Sequence, residues 1–81
     1  MNKEIEDFYK TIGLNVKKKR IQKGYSQLEV ALEIGIKSVA FYSNCENVRY
    51  GKHFNLEHLY KLSKVLDTDI CEFFKNVSNK I

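Results

Sequence analysis

Proline is absent from this sequence of 81 residues, so nothing in it interrupts helices in the way that proline does. No run of eighteen apolar residues is present, and the N-terminus lacks the charged-then-apolar pattern of a signal peptide. We therefore expect neither membrane insertion nor secretion, and we predict a cytoplasmic protein. No segment shows sustained alternation of apolar and polar residues, which argues against strands. Together these absences predict an all-helical chain.

Residues typical of catalysis or metal binding are also scarce. Cys45 and Cys71 lack CxxC spacing and lie in apolar stripes, which favours packing in the core over the alternative of a redox or metal role. His53 and His58 have no third ligand at metal-binding spacing, so we expect surface roles for both. There is no nucleophile with an evident base and orienting group, no glycine-rich phosphate loop and no pair of carboxylates in a plausible cleft. We predict a protein that is not an enzyme and that has no metal, cofactor or small-molecule ligand.

Acidic residues are missing from the stretch between Phe8 and Leu28, although the formal net charge of the whole chain is only +4. The basic residues of this stretch are Lys10, Lys17, Lys18, Lys19, Arg20 and Lys23. Such a basic surface favours duplex DNA through the release of condensed counterions, whereas the alternative is a solvated helix face. Because successive helical residues turn by about 100°, the four consecutive basic residues cannot all share one face.

Helix signals predict five helices in a single domain over residues 1–81, with residues 78–81 frayed. The first helix is expected from Lys3 or Glu4 to Lys23, ending at Gly24. Gly13 falls within its apolar stripe, so a bend or a later start is the alternative.

The segment from Tyr25 to Glu46 is the most informative part of the chain, because it predicts two short helices joined by a tight turn. Ser26 with Glu29 forms a capping box that starts a helix, and Gly35 provides the positive φ that ends it. The apolar face expected for this helix consists of Leu28, Ala31, Leu32 and Ile34. Ser38 is the expected cap of the next helix, whose apolar stripe is either Val39, Tyr42 and Cys45 or Phe41 and Cys45.

Two further helices are predicted after this segment. Asn55 begins the fourth, which is expected to bury Leu56, Leu59, Leu62 and either Leu66 or Val65. Asp69 and Glu72 cap the fifth in the manner of Ser26 and Glu29. The apolar face of that fifth helix consists of Ile70, Phe73, Phe74 and Val77.

Several of these residues resemble the helix-turn-helix of Cro/cI-type regulators, a family that includes short phage repressors and restriction-modification controllers. The residues that carry the resemblance are Tyr25-Ser26-Gln27, Val30-Ala31, Gly35 and Ser43-Asn44-Cys45-Glu46. The resemblance covers residues 10–75 and implies a five-helix, lambda-repressor-like DNA-binding domain. Compared with the family pattern, the stretch from Gly35 to Glu46 is one residue longer, and that from Glu46 to Leu56 is about two longer.

The resemblance also implies which residues bind DNA. Gln27 matches a family glutamine that clamps a phosphate or supports the recognition helix, and Arg20 matches a structural arginine for which Glu46 is the expected partner. With Ser38 as cap, Val39, Ala40, Ser43 and Asn44 point towards the major groove, where Asn44 suits adenine. If the extra residue lies inside the helix, the reading residues are instead Lys37, Ser38, Val39 and Tyr42. Arg49 and Lys52, in the loop of residues 47–53, are expected to contact phosphates.

The function implied is sequence-specific binding of double-stranded DNA by a transcriptional regulator. One recognition helix contacts too few base pairs to select a genomic site, so we expect a homodimer on an inverted repeat, acting as a repressor rather than an activator. The expected dimer interface is Ile70, Phe73, Phe74 and Val77, with burial of these residues in the monomer as the alternative. The alternative function is a protein-interaction module of the same fold, such as an antitoxin or anti-repressor.

Overall fold

The computed structural model describes residues 1–77, which form four α-helices followed by one short 3₁₀ helix. The elements are α1 (Lys3–Lys23), α2 (Gln27–Glu33), α3 (Val39–Asn47), α4 (Leu56–Val65) and the 3₁₀ helix (Ile70–Phe74). No strand occurs among these residues, and none of their helices has the length and apolar character needed to cross a membrane. The all-helical prediction is confirmed for this part of the chain. The predicted fraying of residues 78–81 lies outside the described residues.

Helix α1 has the predicted bounds and runs without interruption through Gly13. The side chain of Asn2 accepts a hydrogen bond from the backbone N–H of Ile5 at 2.9 Å, and Gly24 ends the helix with φ of 82°. Gly13 is buried where α1 crosses α3, and a Cβ atom placed there would overlap the backbone carbonyl oxygen of Glu46. The glycine in the apolar stripe therefore permits the backbones of two helices to touch.

Helix α2 begins and ends as its sequence predicts. Ser26 and Glu29 form both hydrogen bonds of the capping box, at 3.1 and 2.9 Å. Gly35 adopts φ of 84°, and the next N–H, that of Ile36, donates to the carbonyl of Ala31 at 2.8 Å. Together with the bond from Gly35 N–H to the carbonyl of Leu32, this arrangement is a Schellman motif, which closes the helix sharply.

The predicted apolar face of α2 is partly wrong. Val30, Ala31 and Ile34 are buried, whereas Leu28 and Leu32 are 50% and 60% exposed. At about 100° per residue, both leucines lie roughly 160–200° around the helix axis from Val30. They therefore project on the side of α2 that faces away from the core.

Helices α3 and α4 both contribute buried apolar residues to the core. Tyr42 and Cys45 are the buried apolar residues of α3, which favours the predicted stripe with Tyr42 over the one with Phe41, although Val39 of that stripe is 42% exposed. Buried apolar residues near and within α4 are Phe54, Leu59, Leu62 and Leu66. The predicted burial of Leu56 is wrong, because this residue is 74% exposed. It is the first residue of α4, and helical side chains lean towards the N-terminus, so Leu56 projects past the end of the helix.

The fifth predicted helix is a 3₁₀ helix of five residues rather than an α-helix. Asp69 accepts from the N–H of Cys71 at 2.8 Å, while the N–H of Glu72 donates to the backbone carbonyl of Asp69, so the predicted capping box does not form. In so short an element only Phe73 is fully buried, and Cys71 is exposed, contrary to its predicted core position. Asn15 of α1 holds the end of the element through hydrogen bonds from its side-chain amide to the carbonyls of Phe73 and Lys75.

Candidate nucleic-acid interface

The register of the recognition helix, α3, follows from its cap and its buried side. Ser38 accepts a hydrogen bond from the N–H of Phe41 at 3.2 Å and so caps α3, as predicted. Tyr42 has no exposed surface. The side chain of Tyr42 is therefore not available to face DNA, and α3 begins at Val39.

In this register two turns of α3 present the predicted reading residues outward. Val39 is 42% exposed and Ala40 is exposed, while Ser43 and Asn44 are half-buried one turn further along. Among residues 1–77 no hydrogen bond uses the side-chain amide of Asn44, and this leaves both its donor and its acceptor for a base edge. Phe41, at the same end of the helix, is 37% exposed. The sequence pattern did not decide whether Phe41 or Tyr42 is the buried aromatic residue.

A buried polar network holds the back of α3. The guanidinium of Arg20 donates two hydrogen bonds of 3.0 Å to the two carboxylate oxygens of Glu46, and a third of 2.9 Å to the carbonyl of Tyr25. The hydroxyl of Tyr42 donates to Glu46 at 2.9 Å. The predicted partnership of Arg20 and Glu46 is confirmed, whereas the contribution of the Tyr42 hydroxyl was not predicted. The signal was available, because Tyr42 and Glu46 are four residues apart and so share one helix face.

The network is almost closed to solvent, and the pKa values of Arg20 and Tyr42 are raised within it. The side chain of Glu46 has no exposed surface, and that of Arg20 is 9% exposed. Hydrogen bonding to Glu46 raises the pKa of the Arg20 guanidinium, against the opposing effect of burial. Burial, assisted by the negative charge of Glu46, raises the pKa of Tyr42 far above its ordinary value. Arg20 therefore stays charged and Tyr42 stays protonated as a hydrogen-bond donor.

Gln27 links the start of α2 to this network. Its side-chain amide donates to Glu46 at 3.1 Å, so the first residue of α2 is tied to the last turn of α3. This contact corresponds to the supporting role that the resemblance implies. The side chain is half-buried, and the remaining surface lies at the start of a helix, where backbone N–H groups are unpaired.

The loop after α3 is held at both ends and exposed in the middle. Val48 is 5% exposed with φ of 53°, and at the other end the ring of His53 stacks on Tyr9 with centroids 3.7 Å apart. Between these anchors Tyr50 is 84% exposed, and Arg49 and Lys52 are also exposed. The loop therefore presents two cations beside the recognition helix.

The basic stretch of α1 does not act as one surface. Arg20 is buried in the network, and Lys10 pairs with Glu6 at 3.4 Å along the helix. Lys18 and Lys23 are exposed, while Lys17 and Lys19 are half-buried.

His58 and Cys45 have structural roles, one in capping a helix and the other in packing the core. His58 accepts the N–H of Asn55 at 3.0 Å and so completes a capping box for α4, a role that was not predicted. Burial raises the pKa of the Cys45 thiol to about 11, which keeps it protonated as a core residue. Within residues 1–77 no three metal-ligating side chains cluster together.

The geometry is that of a short helix, a tight turn and a recognition helix with an open outer face. A family model described as "Helix-turn-helix" matches residues 16–73, a range that includes all of α2, α3 and α4. No curated protein matches the chain. Because the family match covers well over half of the sequence and coincides with these elements, the chain belongs to the Cro/cI-type helix-turn-helix family of DNA-binding transcription regulators.

Proposed function

We propose that this protein represses transcription by binding, as a homodimer, to an inverted-repeat operator in double-stranded DNA, without enzymatic activity. The observation that carries the proposal is the fixed orientation of α3, which hydrogen bonds from Arg20 and Gln27 to Glu46 tie to α1 and α2. On its other side Val39 and Ala40 are exposed, and Ser43 and Asn44 are half-buried. A rigid helix with small and amide side chains outward suits the major groove, where such groups contact thymine methyls and adenine edges. Lys37, Ser38, Arg49 and Lys52 lie around this helix and supply the proposed contacts to the phosphates.

The test is selection of bound sequences from a random duplex pool, at low and at physiological salt. We expect enrichment of an inverted repeat whose half-sites are about ten base pairs apart, because each copy reads one turn of the groove. Retention that depends on salt without enrichment would show a backbone binder rather than a sequence reader.

Two substitutions distinguish a residue that contacts bases from a residue that supports the recognition helix or binds a phosphate. Asn44→Ala should weaken operator binding by roughly 1–3 kcal/mol and relax preference at one base pair, with stability unchanged. Gln27→Ala should weaken binding to all sequences, and Gln22→Ala, an exposed glutamine of α1, is the control. Undiminished binding by a folded Gln27→Ala variant would contradict the role proposed for Gln27.

One observation favours the alternative, a protein-interaction module. Leu28 and Leu32 project from α2 beside the exposed carboxylates of Glu29 and Glu33, a surface with no basic residue of that helix. Absence of retention on DNA at either salt concentration would favour this function.

A further inference from the structure

The loop of residues 47–53 carries Arg49 and Lys52 on a strained backbone. Val48 and Tyr50 have φ of 53° and 56°, in the left-handed region that β-branched and bulky side chains adopt only at a cost. Between them and α4, the N–H of Lys52 donates to the carbonyl of Arg49 at 2.9 Å and closes a tight turn. A strained loop keeps one conformation only where its surroundings hold it. The positions of the two cations therefore depend on what anchors this loop.

The first end of the loop is anchored by α3 itself. Val48 is buried, and the N–H of Arg49 donates to the carbonyl of Asn44 at 2.9 Å in the last turn of the helix. These contacts lie before the turn that contains Tyr50. Lys52 lies after that turn, so its position requires a second anchor.

The second anchor is on α1. The ring of His53 lies flat on that of Tyr9, with centroids 3.7 Å apart and an interplanar angle of 12°. With its proton on Nδ1, the His53 ring also donates to the carbonyl oxygen of Phe54 at 3.2 Å, and Phe54 is a core residue. Because His53 directly follows Lys52, this stack fixes the end of the turn that carries the second cation.

Tyr9 has few other structural contacts. It is half-buried and lies outside the core cluster, to which Ile12 belongs and against which Phe8 packs. Among residues 1–77 no hydrogen bond uses the Tyr9 hydroxyl, so the aromatic ring makes the contact with His53. Aromatic pairs of this kind add to stability beyond the apolar area that they bury.

From these contacts we infer that Tyr9 is a positioning residue for DNA binding, which acts through His53 to hold Arg49 and Lys52 towards the phosphates. The inference rests on the proposed function, in which these two cations bind the DNA backbone. A loop that is already held in its bound conformation loses less conformational freedom on binding, and affinity rises accordingly. Base preference is unaffected, since phosphate contacts carry no sequence information.

The test is a double-mutant cycle on DNA affinity, measured by fluorescence anisotropy with a labelled duplex of the selected operator and with one of unrelated sequence. Tyr9→Leu should weaken binding to both duplexes about two- to tenfold, the effect of losing one aromatic pair. Tyr9→Phe keeps the ring and should bind as the wild type does. Tyr60→Leu, at an exposed tyrosine of α4, is the control. In an Arg49→Ala/Lys52→Ala protein, Tyr9→Leu should cause no further loss, because the cations that it positions are absent.

Hydrogen exchange without DNA tests the anchor independently. The N–H of Lys52 is hydrogen-bonded within the turn, and Tyr9→Leu should speed its exchange about two- to tenfold while the amides of α4 stay unchanged. Circular dichroism verifies the fold of each variant.

Four results would overturn the inference. They are unchanged affinity in folded Tyr9→Leu, an equal loss with and without the two cations, binding by Tyr9→Phe as weak as that by Tyr9→Leu, and unchanged exchange at Lys52. Each of them leaves binding of DNA by the wild type intact. Failure of the proposed function is distinct, because the wild type would then bind neither duplex, and the inference would fall with it.

Discussion

Helices α3 and α4 are of similar length, nine and ten residues, yet of these two only α3 adds a buried charged network to its apolar packing. Leu59 and Leu62 of α4, with Leu66 beyond its end, enter the core as apolar side chains. Helix α3 also buries Tyr42 and Cys45 in this core. In addition, its Glu46 carboxylate accepts three hydrogen bonds from other helices, two from Arg20 and one from Gln27, and its backbone touches α1 at Gly13. Apolar burial is not directional, whereas hydrogen bonds to a charged group require a particular geometry. Apolar packing therefore stabilises both helices, and the polar network in addition fixes the orientation of α3, the proposed recognition helix.

Removal of the Glu46 carboxylate is expected to have the largest effect on the free energy of unfolding. Glu46→Ala leaves the Arg20 guanidinium charged and buried without its partner, which should destabilise the protein by about 3–5 kcal/mol in urea unfolding. Glu33→Ala, at an exposed glutamate of α2, is the control and should stay within about 0.5 kcal/mol of wild type. A loss below about 1 kcal/mol for Glu46→Ala would show that the network adds little to the energy of the fold.

Truncation of a core leucine tests the apolar half of the comparison. Leu62→Ala should cost about 2–5 kcal/mol by leaving a cavity under α4. The protein that remains folded should keep the sequence preference of the wild type, since the contacts around α3 are intact. An altered operator preference in the selection experiment would contradict the division of roles between the two helices.

Addition of one methyl group where α1 crosses α3 should change the free energy of unfolding less than Leu62→Ala does. The sign of that change distinguishes the effect of close packing from the effect of helix propensity. Gly13→Ala overlaps the carbonyl of Glu46 and lies within 3.0 Å of its carbonyl carbon, so we expect destabilisation of about 1–3 kcal/mol. Helix propensity alone predicts the opposite, a gain of up to about 1 kcal/mol. Thermal unfolding decides between them, with Lys18→Ala as a control at an exposed position of the same helix.

The smallest expected effect is a loss of stability in mild acid at the start of α4. Burial lowers the pKa of His58, whose neutral ring accepts the N–H of Asn55 in the capping box. The unfolded chain therefore binds a proton more readily than the folded chain, so stability is full above the ordinary histidine pKa of about 6.5 and declines as pH falls below it. His58→Gln keeps an acceptor at this position without titrating, and it should flatten this part of the dependence of unfolding free energy on pH. An equally steep decline in both proteins would assign the effect to another group.

Local signals predicted the helix boundaries well because their causes are local. The capping box of Ser26, the positive φ of Gly35 and the end of α1 at Gly24 each depend on a few neighbouring residues. The same reasoning failed for Leu28, Leu32 and Leu56, which are apolar at helical spacing but exposed. Periodicity identifies residues that can share a face, but it does not show where the core ends.

The candidate site also combines features that the sequence predicted with features that it did not. Pairing of Arg20 with Glu46 and the cap at Ser38 were predicted from the residues that match the family pattern. The choice between Phe41 and Tyr42 was not, since both are aromatic and adjacent, and only packing against the core places Tyr42 inside. The stack of His53 on Tyr9 joins residues more than forty positions apart, and no local pattern signals it.

By itself the sequence determined an all-helical chain, the starts and ends of its first helices, and membership of a helix-turn-helix family, because capping, backbone conformation and motif spacing act over short distances. Only the tertiary structure decided which face of α3 is outward, that the last element is a 3₁₀ helix, and that Leu56 and Phe74 border an open groove. These features depend on contacts between distant segments, and the burial of a side chain is set by everything that surrounds it rather than by its neighbours in the chain.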